Sequence, residues 1–453
     1  MRLADLRTRW PSLHQHEFER LVVSATGLPR ASLIDVELTD EMLETFAALA
    51  ARRIAGEPLQ YIEGIVQFAS LELLCDDRAL IPRPETEQLW EHTVARIGSA
   101  QIVVDLCTGS GNLALVAKLQ WPEARVLATD NSSDALALAA ENGAHTGLAV
   151  EFLLGDLFEP LPYTLRGRID LLLANPPYLA AAEIESLPDE VRRHEPTSAL
   201  LAGEYGDEIL ARIAAEAPRW LAPDGLLACE ISEFRSDVAA ALFADLGGVV
   251  ENDLTGRPRF VFGRNTMSAV HLDAYRALQE SAVIGVPTDT VYGLAASVYS
   301  QEGVNRLYEI KQRAASKPLP VLAASLDQVA EIAVMDERAR ALVERDWPGD
   351  VTYIVRRKAS LPAWIGDSSS MTVGVRIPAH GELLGLMRRT GPLAVSSANR
   401  SGEPEAVDDS GARSQFGDRV AVYLPGIAPG GAPSAVVDIT GATPQILRAG
   451  PMR

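Results

Sequence analysis

The sequence predicts an α/β protein built of a small helical N-terminal domain followed by two separate α/β domains. Its 453 residues exceed one ordinary domain and suit about three, at roughly 150 residues each. Hydrophobic residues make up 47% and charged residues 23%, so each part can bury a core. From residue 101 onward, short apolar runs alternate with helical stretches, a pattern typical of a mostly parallel sheet covered by helices. We place the domains at residues 1–75, 76–265 and 266–453.

The first domain is predicted to be helical because two stretches carry apolar residues at helical spacing. They end near Gly27 and Gly56, and glycine is common just beyond the last turn of a helix. Thr39, with Asp40 and Glu41 after it, indicates the start of the second helix, since acidic groups are favoured there.

The later domains are predicted from the alternation of apolar runs and helical stretches. Strands of the central domain are predicted at residues 102–106, 125–130, 150–156, 169–175, 225–231 and 259–264, and helices at 111–120, 133–145 and 207–221. Strands of the last domain are predicted at residues 282–289, 351–357, 372–377, 393–399 and 434–440, and helices at 275–280, 302–313 and 382–389.

Charge divides the chain at residue 265. Residues 1–265 carry 22 Lys and Arg against 41 Asp and Glu, a balance of −19, whereas residues 266–453 are nearly neutral at −1. A strongly acidic surface repels phosphate backbones, so the first part is a poor nucleic-acid binder and suits a basic protein partner. Simple solubility explains the same number equally well.

Other features indicate the compartment. No run approaches the roughly 20 apolar residues of a membrane span, and the N-terminus has no apolar signal core. The three cysteines, Cys75, Cys107 and Cys229, have no CxxC spacing and predict neither a disulfide framework nor a zinc site. We therefore expect a reduced, cytoplasmic protein without a membrane partner and without a metal held by its own side chains.

A nucleotide-like pocket is predicted where three strands of the central domain end. The loop from Asp105 to Gly111 follows a strand and opens a helix, so its glycines let backbone N–H groups approach a ligand. Asp130 and Asp156 end the next two strands, where carboxylates suit a ribose and an adenine. Each feature alone is as well explained by a turn or a helix cap, but together at consecutive strand ends they favour a ligand.

The fourth strand ends in Asn175, Pro176, Pro177 and Tyr178. An amide nitrogen is a poor nucleophile, and the Asn175 side-chain oxygen and the Pro176 carbonyl can accept its two hydrogens. Prolines preorganise these acceptors because they fix φ, and Tyr178 can stack on a planar substrate. The alternative is a proline-rich turn with no catalytic role.

This combination resembles S-adenosylmethionine-dependent methyltransferases acting on planar nitrogens. Within them it resembles the glutamine methyltransferases of peptide-chain release factors, across roughly residues 1–264 and including the segments 56–62, 80–87 and 195–200. The resemblance implies a Rossmann-like domain, S-adenosylmethionine as donor, and methylation of the glutamine in the factor's Gly-Gly-Gln loop, which the helical domain helps to recognise. It implies donor contacts for Cys107, Thr108, Gly109, Ser110, Gly111, Asp130, Asp156, Leu157 and Asn175. Cys107 replaces a usual glycine; it is small enough to fit, the alternative being that a bulkier turn weakens donor binding. Leu157 replaces a common aromatic, which predicts looser packing against the adenine.

A second pocket is predicted in the last domain from hydroxyls, an amide and separated cations at strand and helix ends. Such groups suit a triphosphate and an amino acid, although cations at a helix C-terminus are also a common solvated cap. They lie in the segments 287–294, 311–317, 372–378, 396–402 and 446–448. His380 is predicted to start a helix.

This set of segments resembles the YrdC-like threonylcarbamoyl-AMP synthases, across roughly residues 270–453. The resemblance implies that L-threonine, bicarbonate and ATP, with Mg²⁺ as helper, form threonylcarbamoyl-adenylate on the way to modified tRNA, which the domain serves only indirectly. It implies that Thr290 and Arg376 contact threonine. It implies ATP contacts for Arg313, Lys317, Thr372, Ser397, Asn399 and Arg448, with Lys311 supporting the phosphates.

Three residues depart from the usual pattern of the synthases, and there are two alternatives to the leading hypothesis. Ala314 replaces a usual proline, Ala435 a threonine, and Glu405 a serine that often touches phosphate. The leading hypothesis is a bifunctional translation enzyme. The first alternative keeps the methyltransferase but makes the last domain a nucleotide- or RNA-binding module without synthesis; the second gives the Asn175 site a nucleic-acid base as substrate.

Overall fold

The computed structural model describes residues 3–33, 37–313, 317–400, 403–429 and 432–450. Ala314 therefore lies outside the described residues, as do Ser401 and Gly402 of the predicted second pocket. The chain divides into two compact units, Met1–Asn265 and Thr266–Arg453. The boundary expected after residue 75, inside the first unit, stays a prediction.

The first unit contains ten α-helices and eleven strands in its described residues. The helices are α1 Leu3–Arg9, α2 Gln15–Thr26, α3 Asp40–Ile54, α4 Leu59–Glu63, α5 Pro84–Val94, α6 Asn112–Gln120, α7 Ser133–Thr146, α8 Asp189–His194, α9 Glu208–Trp220 and α10 Ser236–Leu242. The strands are β1 Ile65–Phe68, β2 Leu71–Leu74, β3 Ile102–Leu106, β4 Arg125–Asp130, β5 Glu151–Leu154, β6 Ile169–Ala174, β7 Leu179–Ala180, β8 Leu201–Gly203, β9 Leu221–Glu230, β10 Val249–Asn252 and β11 Pro258–Arg264.

Seven of these strands form one sheet in the order β10-β11-β9-β6-β3-β4-β5. The five strands from β9 to β5 are parallel, and β11 and β10 add an antiparallel edge. The strand order reverses between β3 and β6, which is where an open α/β sheet leaves a crevice beyond its strand ends. Leu106 pairs with both Thr129 and Ala174, so the ends of β3, β4 and β6 lie level with one another. The predicted parallel sheet is confirmed.

The helical start of the unit differs from the prediction in one respect. The first predicted helix is two helices, α1 and α2, separated by a turn at Pro11. Proline disfavours helical geometry in the residue before it, here Trp10, and the Arg7 guanidinium donates to the freed carbonyls of Trp10 and Leu13. Thr39 caps α3 as predicted, its hydroxyl accepting from the Met42 amide at 3.2 Å. The β1–β2 hairpin and β10 were not predicted.

The second unit contains six α-helices and ten strands in its described residues. The helices are α11 Ala269–Gln279, α12 Gln301–Lys311, α13 Leu326–Ile332, α14 Glu337–Asp346, α15 Gly381–Thr390 and α16 Asp409–Phe416. The strands are β12 Ile284–Val286, β13 Gly293–Ser297, β14 Val321–Leu322, β15 Ala333–Val334, β16 Val351–Arg357, β17 Thr372–Arg376, β18 Leu393–Ser397, β19 Val422–Tyr423, β20 Ala435–Asp438 and β21 Gln445–Arg448.

Its strands form one mixed sheet in the order β19-β12-β13-β18-β14-β17-β16-β20-β21, with β15 paired to β16. Leu294 and Ala296 of β13 belong to a large buried cluster, whereas Ala295, between them on the same strand, belongs to another. This alternation shows that the sheet is covered on both faces, as continuous apolar strands predict. No helix in the described part of the chain is long and apolar enough to cross a bilayer.

Candidate active sites

A buried carboxylate fixes the conformation of the loop after β3. Asp105 is 1% exposed, and its Oδ2 accepts from the Thr108 hydroxyl at 2.5 Å and from the Ala114 amide at 3.2 Å. Burial raises the pKa of Asp105 to about 7 despite these bonds. Because one carboxylate holds both the loop and the first turn of α6, the loop's backbone is fixed before any ligand arrives.

Glycine is needed in this loop for close packing as well as for backbone conformation. Gly111 has φ +84°, and a Cβ there would stand 3.2 Å from the Cβ of Ala139. Cys107 adopts a left-handed φ of 55°, although it is not glycine. The predicted substitution for glycine therefore falls at a position where a side chain is strained.

Asp130 ends β4 beside this loop. Its Oδ2 accepts from the Gly109 amide at 2.9 Å and its Oδ1 from the Ser132 amide at 2.9 Å. Burial raises the pKa of Asp130. A carboxylate has about four acceptor positions, so Asp130 keeps acceptor capacity for a hydroxyl of a bound ribose. Asp156, at the end of the next strand, pairs with Arg212 at 2.7 Å.

One cavity of about 970 Å³ joins these strand ends. Of the predicted residues, those on its wall are Cys107, Thr108, Gly109, Ser110, Asp130, Asp156, Leu157, Asn175 and Pro177. Gly111, Pro176 and Tyr178 lie off the wall, the first as the N-terminal cap of α6. The buried Ser110 Oγ and Asp105 Oδ1 have no hydrogen-bond partner among the described residues. Free polar atoms beside glycine-rich backbone and a carboxylate fit an adenosyl donor.

Other parts of the wall overlap two segments, 80–87 and 195–200, that served in the sequence only to indicate the family. These parts come from residues 78–83 and from most of residues 196–201. Arg83 ties the two segments together through the buried carboxylate of Glu195, at 2.6 Å. Neither residue was predicted to belong to the site.

The Asn175 amide nitrogen is hydrogen-bonded to a neighbouring residue of the cavity wall, Thr86. Asn175 Nδ2 donates to the Thr86 hydroxyl at 3.1 Å, and that hydroxyl donates to Glu230 Oε2 at 2.8 Å. The Tyr178 hydroxyl lies 3.4 Å from the other oxygen of Glu230. Thr86 and Glu230 were missed, although the segment 80–87 contains the threonine and could have suggested it.

The second unit has a cavity of about 660 Å³ lined by hydroxyls and cations. Of the predicted residues, Thr290, Arg313, Arg376, Ser397 and Arg448 lie on its wall. Arg376 is 4% exposed and bonds to Thr290 Oγ1 at 3.0 Å, to the Gly349 carbonyl at 2.8 Å and to Asp289. These bonds fix a buried guanidinium beside a hydroxyl, which suits an amino acid's carboxylate.

Arg313 and Arg448 approach the same cavity from distant parts of the chain. Arg313 is held by the carbonyls of Lys317 and Pro318 at 2.9 and 3.0 Å, and Arg448 by the Ser434 carbonyl at 2.8 Å. Contacts with carbonyls do not neutralise a guanidinium, so both side chains keep a positive charge that can bind a phosphate. Glu405 lies on the same wall, where its charge interacts with the Arg448 guanidinium.

Four predicted ATP-contacting residues lie off this wall: Lys311, Lys317, Thr372 and Asn399. The buried Lys311 ammonium donates to the carbonyls of Ser397 and Asn399, and to Asn399 Oδ1 at 3.0 Å. Burial, with the Arg313 cation nearby, lowers the pKa of Lys311 to about 8. Lys311 thus braces the loop that carries Ser397.

Lys317 and Thr372 lie away from the cavity wall for different reasons. Lys317 is exposed, and its carbonyl rather than its ammonium contacts Arg313. Thr372 begins β17 whereas Arg376 ends it, four residues or about 13 Å away at about 3.3 Å per residue. Its hydroxyl pairs with that of Ser370 at 2.7 Å.

Two further predictions concern single side chains. His380 caps α15, its ring nitrogen accepting from the Leu383 amide at 3.4 Å, which confirms a helix-start role. Ser434, retained beside Ala435, bonds to the Thr352 hydroxyl at 2.8 Å and lines the cavity.

Within the described ranges, no group of three or more His, Cys, Asp or Glu residues is arranged to hold a metal ion.

Three family matches cover most of the chain. They are the PrmC N-terminal domain over residues 12–64, the Methyltransferase small domain over residues 85–188, and the Sua5/YciO/YrdC family, described as Telomere recombination, over residues 276–450.

Individual relatives match each unit separately. The release factor glutamine methyltransferase of Geobacter sulfurreducens is 37% identical over 254 residues, covering 55% of this chain and 88% of the relative. A candidate threonylcarbamoyl-AMP synthase of Mycobacterium tuberculosis is 41% identical over 183 residues, covering 40% of this chain and 84% of the relative. A solved structure of P. abyssi Sua5 complexed with L-threonine is 32% identical with a TM-score of 0.37, covering 40% of this chain and 53% of that one. The chain thus spans about half the length of that solved protein.

The fold and cavity of the first unit define an S-adenosylmethionine-dependent methyltransferase, and the second unit is a Sua5/YrdC-type domain. The chain belongs to the release factor glutamine methyltransferase family over its first unit and to the Sua5/YrdC family of threonylcarbamoyl-AMP synthases over its second.

Proposed function

We propose that the first unit methylates the glutamine side-chain amide in the Gly-Gly-Gln loop of a peptide-chain release factor. The observation that carries this proposal is the orientation of Asn175, whose Nδ2 is taken by Thr86. Its Oδ1 takes no hydrogen bond from the described residues and so remains an acceptor on the cavity wall.

In this function the protein's task is to orient a weak nucleophile. S-adenosylmethionine, when bound, supplies an electrophilic methyl group. Gly109, Asp130 and Asp156 would hold the donor, and Asn175 Oδ1 with the Pro176 carbonyl would accept the two amide hydrogens. Acceptors fixed in advance need no rearrangement as charge develops on the nitrogen. The proton that the nitrogen loses is then already directed at an acceptor.

The test uses the full chain, labelled S-adenosylmethionine and a purified release factor. Label should enter the factor and should not enter one whose loop glutamine is replaced by alanine. Label entering duplex DNA rather than the factor would instead support a nucleic-acid base as substrate. The balance of −19 over residues 1–265 weighs against that alternative.

We propose that the second unit joins L-threonine, bicarbonate and ATP into threonylcarbamoyl-adenylate and pyrophosphate. The convergence of Arg313 and Arg448 on one cavity carries this proposal, because separated cations can stabilise charge on an α-phosphate and on leaving pyrophosphate. Arg376 and Thr290 would hold threonine at the other end of the cavity. Mg²⁺ stays a prediction for ATP bound at this site.

The test measures pyrophosphate release by the full chain. Release should require ATP, threonine and bicarbonate together, and the adenylate should be recovered by chromatography. Nucleotide binding without threonine-dependent release would favour a binding module without synthase activity.

A further inference from the structure

We propose that Thr86 and Glu230 are positioning residues that hold the Asn175 amide with its oxygen toward the methyl acceptor. This proposal rests on the proposed methyl transfer by the first unit. Thr86 lines the cavity and Glu230 does not, and neither has to touch the donor to act in this way. Their effect passes through Asn175.

Asn175, Thr86 and Glu230 form a chain of two hydrogen bonds, here called the relay. The number of available protons fixes the direction of both bonds. Thr86 and Glu230 are 1% and 2% exposed, so water does not compete for their bonds. A threonine hydroxyl has one proton, and a carboxylate only accepts. Because Thr86 donates to Glu230 at 2.8 Å, its oxygen can only accept from the group 3.1 Å away on its other side. Asn175 must therefore present its NH₂ to Thr86.

The same carboxylate holds both ends of the catalytic loop. Glu230 Oε2 binds Thr86, and Glu230 Oε1 lies 3.4 Å from the Tyr178 hydroxyl. Glu230 ends β9, which is parallel to the strand that ends before Asn175. One acid at the end of a neighbouring strand thus sets the amide orientation at one end of the loop and the ring position at the other.

A purely structural role does not account for this arrangement. A buried carboxylate costs free energy that apolar packing would avoid, unless its hydrogen bonds serve another purpose. The groups that face Glu230 are Thr86 and Glu85 from α5, Arg259 from β11 and Tyr178 from the loop. Burial raises the pKa of Glu230 to about 7.

Protonation of Glu230 would reverse the relay. A protonated carboxyl can donate to the Thr86 oxygen, which frees the Thr86 proton for Asn175 Oδ1. The amide could then turn its NH₂ toward the substrate, where two donors would face each other. The methylation rate should therefore fall as pH drops through about 7, because the active relay needs the ionised acid.

The first experiment compares three substitutions in the full chain. Thr86→Val removes both roles of the hydroxyl, and Thr86→Ser keeps them. Thr93→Val is the matched control, because Thr93 is a fully buried threonine on the same helix whose hydroxyl bonds only to the Leu89 carbonyl. Thr86→Val should lower kcat roughly tenfold or more, less than the 10²–10³ that a lost direct bond to a reacting group costs. Thr86→Ser and Thr93→Val should stay within about twofold of wild type, a difference worth under about 0.5 kcal/mol.

Donor affinity separates positioning from damage to the cavity. Calorimetric binding of S-adenosylmethionine should be unchanged in Thr86→Val, so that the loss lies in kcat. A wild-type chain that transfers no methyl to the release factor overturns the proposed function. An active wild type together with a Thr86→Val kcat equal to that of Thr93→Val overturns the relay alone.

A second variant keeps the relay testable if Thr86→Val fails to fold. Glu230→Gln cannot ionise, so its kcat should be independent of pH between about 6 and 8, where the wild-type rate rises. The same rise in Glu230→Gln would show that another group titrates and would overturn the relay.

Discussion

Arg376 donates a hydrogen bond to Thr290 Oγ1 at 3.0 Å, across 86 positions of the chain. The sequence assigned both residues to one ligand, and the fold brings them together at one end of a cationic cavity. Asp289 also pairs with Arg376, so the guanidinium is partly neutralised before a ligand arrives. A threonine carboxylate would then either displace Asp289 from Arg376 or bind Arg376 beside it.

Replacing Asn175 by alanine should abolish methyl transfer while leaving donor binding nearly intact. The change removes the acceptor for the substrate's amide hydrogen, and loss of such a group costs about 10²–10³ in kcat. Labelled-methyl transfer and calorimetric donor titration measure the two effects separately. Activity within tenfold of wild type would show that Asn175 has another role.

Replacing Arg313 by alanine should raise the KM for ATP by about 10- to 100-fold, the equivalent of one charge-assisted hydrogen bond. The guanidinium is on the cavity wall, and it contacts only carbonyls among the described residues. Pyrophosphate release measures the loss. Methyl transfer by the same preparation is the control, and a parallel loss of methylation would indicate misfolding or coupling between the sites.

Replacing Glu405 by serine should lower the KM for ATP severalfold. Its carboxylate shares a wall with Arg313 and Arg448 and repels phosphates drawn to them. Glu403→Ser is the matched control, since Glu403 is exposed and absent from the wall. A slower reaction in Glu405→Ser would mean that the carboxylate assists catalysis, as it would by binding a metal.

Replacing Cys107 by glycine should raise the free energy of unfolding of the first unit by up to about 1 kcal/mol. A left-handed φ of 55° strains a residue with a Cβ, and the gain exceeds the entropy that glycine loses on folding. Cys75→Gly, at a buried position without that strain, should instead destabilise the unit. Thermal unfolding followed by circular dichroism compares the two, and a lower midpoint for Cys107→Gly would contradict the expectation.

Sequence reasoning grouped residues that follow strand ends, and Asp130, Asp156 and Asn175 do line one cavity. They could be assigned to one crevice because the carboxyl ends of parallel strands meet at one edge of a sheet. It was less successful with Lys311 and Thr372. A motif gives a residue's position along the chain, but Lys311 turns to backbone carbonyls and Thr372 lies at the far end of its strand.

By itself, the sequence determined the α/β class, the mostly parallel character of the first sheet and the loop from Asn175 to Tyr178. Apolar periodicity and short-range spacing carry that information. Only the tertiary structure brings Thr86, 89 positions before Asn175, and Glu230, 144 positions after Thr86, into one chain of hydrogen bonds with the Asn175 amide. It also placed Glu405 on the wall of the second cavity. The direction of a hydrogen bond depends on which groups packing brings within about 3 Å, and spacing along the chain does not record that.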